Sequence, residues 1–390
     1  MAQVTFRYTE KTKPRRVLVQ DGLVSYAVGT ERPWICPGAF TEDSVTFVAD
    51  TGFWGVTVEV KRLLEPGPLL IEFPPLPAGG PLGWWHHLQG ISDPRAPRGH
   101  GIRIGVIDEG LPKQGRDSSI SHIHNDGGLP VWGVADAPRA INPTSIHSEQ
   151  VCALLAARGT GGNGYDGIVP DAEVFFTSAR VDEEENPRLK TQRVMTCIEY
   201  LSAERQCDVI SVSAGDVKTE LPGLLEVLKT VARLGTVCFF ASGNSGVVRY
   251  PAQYDECFAV AALGSTGGAP AGTDIAKIDQ SERLSLDAGP LYLWSCSGRG
   301  ISVDYCAPGV GVIWSRDGKA AGALAGTSFA CPIAAGVAGL LLSRDAKYLE
   351  TSSKSLRYDR AREILTAPSS YDPLGAPRSH NFWKYGLLRV

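Results

Sequence analysis

A small-residue helix with a polar start is the feature that most constrains this chain. The stretch 323–342 (ALAGTSFACPIAAGVAGLLL) begins with small residues and continues in an apolar helical pattern, which places Gly326-Thr327-Ser328 at the helix entrance. Pro332 fits the first turn, where its missing N–H is not needed. The recurring alanines and glycines predict a buried helix packed closely on several sides. Free N–H groups at its entrance favour negative charge, so Ser328 is a candidate nucleophile.

The N-terminal part of the chain has a different pattern. Residues 1–75 contain short alternating apolar runs broken by turn residues, which predict a small β-rich module. Residues 76–100 are rich in proline and glycine at their start, as in Pro74-Pro75-Leu76-Pro77-Ala78-Gly79-Gly80-Pro81, and predict a linker and an arm on the next domain.

Residues 101–390 have the pattern of an α/β domain. Continuous β-type runs alternate with helical patterns at 194–205 and 224–234, which predicts a doubly wound, mostly parallel sheet with helices on both faces. In such a sheet, catalytic groups gather beyond the carboxyl ends of the strands. The runs are Ile102 to Ile107, Val174 to Phe176, Val209 to Ser213, Val237 to Ala241 and Phe258 to Ala262.

Charge and composition exclude some partners. The formal net charge is −4 and no cluster of lysine and arginine marks a face, so we expect no nucleic-acid partner and no membrane. The first eleven residues have no apolar segment after a basic start, which predicts a cytoplasmic protein. Nine cysteines without a C-x-x-C pair are interpreted as reduced, buried side chains.

Three side chains stand where catalytic groups are expected. Asp108 follows the first strand of the α/β domain, His147 leads into an apolar helix, and Ser328 opens the last buried helix. A serine hydroxyl is a weak nucleophile unless a base takes its proton, and the imidazole in turn needs a carboxylate to fix its tautomer. The sequence therefore predicts a catalytic Asp-His-Ser set.

An oxyanion donor is the fourth requirement of this chemistry. Ala241-Ser242-Gly243-Asn244 ends a buried strand with one amide side chain among flexible glycines. We interpret Asn244 as the donor to the carbonyl oxygen as it becomes negative.

At this point the chain resembles the subtilisin-like serine proteases (subtilases) from about residue 84 to 390. Ile104 to Gly110 is similar to the aspartate motif, His147 to Ala157 to the histidine helix, and Gly326-Thr327-Ser328 to the nucleophile motif. The resemblance implies a subtilisin-like fold and a peptide or protein substrate. It also implies that an extended substrate pairs with the strand Ser211-Val212-Ser213-Ala214-Gly215, and that Ser242 and Gly243 belong to the substrate site.

The chain departs from the family pattern beside two of these motifs. Ser148-Glu149-Gln150 stands where Gly-Thr-His is usual, so Glu149 is expected to add a carboxylate near His147. Phe329 replaces a usual methionine and Ile333 a usual histidine, and both are interpreted as packing changes.

No metal or cofactor is expected. His122 and His124 alternate in a polar loop without a third ligand, which favours surface histidines over a metal pair. Family members often bind calcium, but a full oxygen shell does not map onto these residues.

The residues predict a serine endopeptidase. Two alternatives remain open. One is a peptide-processing protease or transpeptidase of ribosomal natural-product maturation, in which residues 1–75 recognise a leader, serve as a prosegment or have an accessory role. The other is a pseudoprotease that only binds peptides, suggested by the altered residues after His147. The sequence leaves the cleavage preference and the oligomeric state open.

Overall fold

The structure is a computed structural model in which the chain forms two compact units, Met1–Glu72 and Phe73–Val390. The described residues are 2–6, 14–20, 23–28, 34–36, 44–49, 54–62, 81–111, 117–129, 145–159, 164–179, 187–213, 220–270, 273–281, 283–285, 291–367 and 383–390.

The smaller unit contains two antiparallel sheets. One has the strand order β1-β6-β5 and the other β2-β3-β4. Strands lie among the short apolar runs of residues 1–75, and Trp34–Cys36 forms one further short strand. The strands are β1 (Ala2–Phe6), β2 (Pro14–Gln20), β3 (Leu23–Val28), β4 (Trp34–Cys36), β5 (Ser44–Ala49) and β6 (Trp54–Arg62).

The larger unit alternates strands and helices, as the sequence predicts. Its strands are β7 (Arg103–Asp108), β8 (His124–Gly128), β9 (Glu173–Ser178), β10 (Val209–Val212), β11 (Val237–Ala241), β12 (Phe258–Ser265), β13 (Arg283–Ser285), β14 (Leu291–Trp294), β15 (Tyr305–Arg316), β16 (Lys319–Ala325) and β17 (Gly386–Leu387). Its helices are α1 (Trp84–Leu88), α2 (Ile146–Ala156), α3 (Pro187–Ala203), α4 (Pro222–Arg233), α5 (Asp274–Ser281), α6 (Thr327–Arg344), α7 (Ala346–Glu350) and α8 (Lys354–Leu365), with a 3₁₀ turn at Ser118–Ile120.

These strands form one mostly parallel sheet. Its order is β13-β14-β12-β11-β10-β7-β9-β8, and β15 adds to β12 and carries β16 and β17. The central neighbours β9, β7, β10 and β11 are all parallel, whereas β13, β14 and β16 pair antiparallel. Because parallel strands end at the same edge of a sheet, Asp108, Ser213 and Ser242 lie along one edge.

Helices cover both faces of this sheet. Successive residues of a strand point to opposite faces, and β7 shows both contacts. Ile104 faces α6, where a Cβ added at Gly339 would lie 2.8 Å from Ile104 Cδ1. Gly105 faces α3, where a Cβ added to it would lie 2.8 Å from Leu201 Cδ1. The predicted doubly wound α/β fold is confirmed.

Helix α6 is the core helix of the unit. Fifteen of its 18 residues are buried, and Phe329, Ile333 and Leu340 are at most 2% exposed. Within the described part of the chain it is the one helix with the length and composition of a membrane span, and 83% of that stretch is buried inside the protein.

The close packing of α6 predicts that adding one methyl group to it destabilises the fold. A Cβ at Gly336 would lie 2.9 Å from Ile168 Cβ and 3.2 Å from Leu155 Cδ1. Overpacking of about 1–3 kcal/mol should exceed the helix propensity of about 1 kcal/mol that alanine gains, so Gly336→Ala should lower the free energy of unfolding. Urea denaturation in a Ser328→Ala background, which prevents self-digestion, measures it.

Gly223 provides the matched control, because it is also a helical glycine. A Cβ there would meet only the flexible end of Met195, with Cε at 3.3 Å, so Gly223→Ala should be neutral or stabilising by up to about 1 kcal/mol. Equal effects of the two substitutions would contradict the prediction.

Candidate active site

The structure brings together the three predicted catalytic side chains. Asp108 is the last residue of β7 and is 1% exposed, His147 is the second residue of α2, and Ser328 is the second residue of α6. His147 Nδ1 lies 3.0 Å from Asp108 Oδ1, and His147 Nε2 lies 2.9 Å from Ser328 Oγ. A carboxylate only accepts, so in the neutral imidazole Nδ1 carries the proton and Nε2 is left to accept from the Ser328 hydroxyl.

The strand end and the entrance of α2 are bonded to each other. Gly110 O accepts from the Ser145 N–H at 3.1 Å, and the Gly110 N–H donates to Ser148 Oγ at 3.0 Å. The Glu109 N–H donates to Asp108 Oδ1 at 2.7 Å. These bonds position the carboxylate against the imidazole, and they give Ser148 a structural part in the site.

Opposing effects act on the protonation of His147. Burial lowers its pKa, but the charge of Asp108, the hydrogen bond that Nδ1 donates to Asp108 and the charge of Glu109 raise it by more, so the pKa lies at about 9 instead of 6.5. The imidazole therefore holds a proton strongly, and it can act as a base toward the serine hydroxyl only where the pH leaves it neutral.

Asn244 and Thr327 form a fixed pair beside the nucleophile. Asn244 Oδ1 accepts from the Thr327 N–H at 3.0 Å and from Thr327 Oγ1 at 2.8 Å. Thr327 Oγ1 in turn accepts from the Gly243 N–H at 3.2 Å. Because two donors occupy Oδ1, the orientation of the amide is set and Nδ2 is the end available to donate.

The predicted substrate-binding residues divide into buried and accessible ones. Ser211, Val212 and Ser242 are at most 1% exposed, whereas Ser213 and Gly243 are half-buried. The Ser213 hydroxyl donates to Ser328 O at 2.8 Å. The side chains of Ser211 and Ser242 therefore support the site from inside. Ala214 and Gly215 lie outside the described residues.

The departures from the family pattern have structural explanations. Glu149 is 4% exposed and lies 3.3 Å from Arg316, so its charge is compensated by that guanidinium. The second carboxylate that acts on His147 is Glu109, not Glu149 as expected, because residues two apart on a helix point to different sides. Phe329 packs its ring 5.2 Å from that of His147, and Ile333 is fully buried.

Groups of metal-ligating side chains are absent from the described residues. Among the described residues, histidine, cysteine, aspartate and glutamate side chains form no group of three or more that could hold a metal ion. His124 is exposed and stacks on Phe175, and His122 is half-buried. The eight cysteines with described side chains are all buried. The absence of a cofactor and of calcium stays a prediction.

Two contributors to the site had no role assigned from the sequence. Thr327 orients Asn244, although the Gly-Thr-Ser triplet indicated only a helix entrance. Glu109 adds charge beside His147, and its position directly after Asp108 is the signal that could have identified it.

The fold and the site together define a class of protein, the subtilisin-like serine proteases. The fold is a mostly parallel sheet between helices, and at one edge of it Asp108, His147 and Ser328 are in hydrogen-bond contact. The sequence model of the subtilase family matches residues 99–375, and the chain belongs to this family.

Individual relatives agree with this assignment. The chain is 28% identical to subtilisin E of Bacillus subtilis (strain 168) over 271 residues, and this match covers 65% of the chain and only 61% of that protein. It is 28% identical to subtilisin of Bacillus pumilus over 317 residues, covering 77% of the chain and 96% of that protein.

Solved structures share the fold. Sphericase has a TM-score of 0.57 at 19% identity, covering 80% of this chain and 99% of that one. The prenylagaramide maturation protease PagA has a TM-score of 0.51 at 20% identity, covering 73% of this chain and 90% of that one.

The pKa of His147 predicts an alkaline activity profile. The protonated imidazole cannot accept the Ser328 proton, so the rate of reaction with a neutral fluorophosphonate should fall as the pH drops through the pKa, with an inflection above 6.5 and toward about 9. Labelling rates measured across the pH range give this inflection.

Asp108→Asn provides the comparison, because it removes the charge that raises the pKa most. Its inflection should move to lower pH and its plateau should fall. An inflection at or below 6.5 in the unmodified protein would contradict the assignment of these charges.

Proposed function

We propose that this chain is a serine endopeptidase that hydrolyses peptide bonds of peptide or protein substrates. The observation that carries the proposal is the hydrogen-bonded chain from Asp108 through His147 to Ser328, with atom separations of 3.0 and 2.9 Å. Membership in the subtilase family supports it.

In this proposal each member of the set has one role. Ser328 Oγ attacks the substrate carbonyl carbon while His147 Nε2 takes the hydroxyl proton, and His147 then gives that proton to the leaving amine. Asp108 keeps the Nδ1 tautomer and stabilises the imidazolium. Water, activated by His147 in the same way, releases the acyl group from Ser328.

The oxyanion is held by two donors in this proposal. One is Asn244 Nδ2, because Thr327 already occupies Asn244 Oδ1. The other is the Ser328 N–H, which lies in the first turn of α6, where a helix provides no intrahelical acceptor. In this proposal both donate to the carbonyl oxygen as negative charge develops on it.

Covalent labelling tests the nucleophile. A fluorophosphonate probe should label the wild-type protein once, at Ser328, and peptide mapping by mass spectrometry locates the adduct. Ser328→Ala should not react, and Ser343→Ala, which changes a serine farther along the same helix, should react normally. A folded, unlabelled protein that still binds peptides would favour the pseudoprotease instead.

The oxyanion role of Asn244 is separable from its structural role. Asn244→Asp keeps an oxygen that accepts from Thr327 but loses the donor, whereas Asn244→Ala loses both. Both variants should lose about 10²–10³-fold in kcat, the loss found for oxyanion donors in subtilisin-like enzymes. If Asn244→Asp kept full kcat while Asn244→Ala lost it, Asn244 would only orient Thr327.

A second candidate function is the processing of a small set of peptides. The observation that favours it is the separate compact unit of residues 1–72, together with the fold shared with a maturation protease. In this version the N-terminal unit recognises part of the substrate. The cytoplasmic location expected from the sequence would suit it and stays a prediction.

Deletion of residues 1–75 tests this candidate. If the N-terminal unit recognises substrate, the deletion should lower kcat/KM for a long native substrate and leave fluorophosphonate labelling unchanged, because labelling needs only the catalytic unit. Equal cleavage of long and short peptides by both forms would remove the recognition role.

A further inference from the structure

One charged side chain at the candidate site is not used by the proposed chemistry. Glu109 follows Asp108 directly at the end of β7, and its carboxylate is exposed. Its carbonyl oxygen accepts from the Ser178 hydroxyl, and its N–H donates to Asp108 Oδ1. The backbone of Glu109 is thus fixed at the sheet edge that carries the site.

The Glu109 side chain faces the entrance of α2. Glu109 Oε2 accepts from the Ser145 hydroxyl at 3.2 Å, and Ser145 lies two residues before His147. The charge of Glu109 also acts on the imidazole, since it contributes to the raised pKa of His147. The carboxylate therefore lies close enough to His147 to act on its charge. It is not a member of the hydrogen-bonded chain from Asp108 through His147 to Ser328.

The carboxylate of Glu109 differs from the neighbouring carboxylates in its ion pairing. The other carboxylates of this region are paired, Asp108 with His147 and Glu149 with Arg316. Within the described part of the chain, no lysine or arginine forms an ion pair with Glu109. An exposed carboxylate that no described lysine or arginine neutralises attracts cations from solution.

An apolar neighbour defines the kind of cation. Ile146 lies between Ser145 and His147, and it is 45% exposed, which is unusual for a large apolar side chain in this protein. Lysine and arginine combine an aliphatic stem with a charged end, so the stem can cover Ile146 while the charged end meets Glu109. A small inorganic cation would use only the carboxylate.

We propose that Glu109 is a specificity-determining residue that selects peptide substrates with lysine or arginine at the position whose side chain lies beside His147. This inference rests on the proposed peptidase function and names the substrate class of that same site. The selection works through a charge pair that forms when substrate binds at the rim, so it should be screened by salt.

Matched peptides test the proposal. A positional library of fluorogenic peptides first locates the position, and then three peptides that differ only there, with lysine, norleucine or glutamate, are compared. Rates are normalised to the active sites titrated with the fluorophosphonate probe. The full chain should cleave the lysine peptide with about fivefold higher kcat/KM than the norleucine peptide.

The variants assign that preference to one carboxylate. Glu109→Gln should bring the lysine-to-norleucine ratio close to one, and Glu109→Lys should favour the glutamate peptide. Glu226→Gln is the control, because Glu226 is an exposed carboxylate on α4 with 71% exposure, and it should keep the fivefold preference.

Salt dependence provides a measurement that needs no variant. The lysine preference of the unmodified protein should decrease strongly between about 0.05 and 1 M NaCl, as the screening length shortens. This measurement decides the matter if a Glu109 variant fails to fold.

The outcomes separate this inference from the proposed function. An active protein that shows no lysine or arginine preference at any position, or a preference that Glu109→Gln or salt leaves unchanged, overturns the role of Glu109 alone. A folded protein without labelling and without cleavage overturns the peptidase function and this inference with it.

Discussion

The packing of α6 against β7 and α2 is the contact on which the candidate site depends. Gly339 lets the helix backbone approach Ile104 of β7, and Gly336 lets it approach Leu155 of α2. Ser328 belongs to α6, whereas Asp108 and His147 belong to β7 and α2, two of the elements that α6 contacts. Because a helix and a buried strand are stiff over these lengths, two close contacts in the core determine the distances at the sheet edge. The site is therefore a consequence of core packing, although none of its reacting atoms lies in the core contacts.

A second constraint links the nucleophile to the loop that carries Asn244. Thr327 donates hydrogen bonds from its N–H and its hydroxyl to Asn244 Oδ1, and its hydroxyl oxygen also accepts from the Gly243 N–H. On the other side of this loop, the Gly298 N–H donates to Gly243 O at 2.8 Å. Asn244 is thus oriented from one side by the helix and its loop is held from the other. Orientation before substrate arrives matters, since a donor that must reorganise during the reaction stabilises the oxyanion less.

The sequence predicted the parts of the structure that depend on local pattern. Buried strands such as β7, β10 and β11 are continuous apolar runs, and the helix starting at Thr327 has a distinct small-residue pattern. Because these elements could be recognised and parallel strands end at one edge, the sequence also predicted that Asp108, His147 and Ser328 lie at the same edge of the sheet. It did not predict β17, because two residues are too few for a pattern and their partner in β15 is about eighty positions away in the chain. The role of Thr327 was missed for a related reason: it depends on a loop 83 residues earlier.

Charge was the hardest property to place from the sequence, and the two glutamates near His147 show why. Glu149 is two positions from His147, but the helical turn directs it elsewhere, and its burial requires a counterion that Arg316 supplies from β15. Glu109 is 38 positions from His147 in the chain, yet the bonds between the strand end and α2 bring its charge to the imidazole. A buried charge must be neutralised within the protein, so it contributes little to the field outside. An exposed charge at a strand end keeps its field, and it is therefore the one that can act both on the catalytic imidazole and on an arriving substrate.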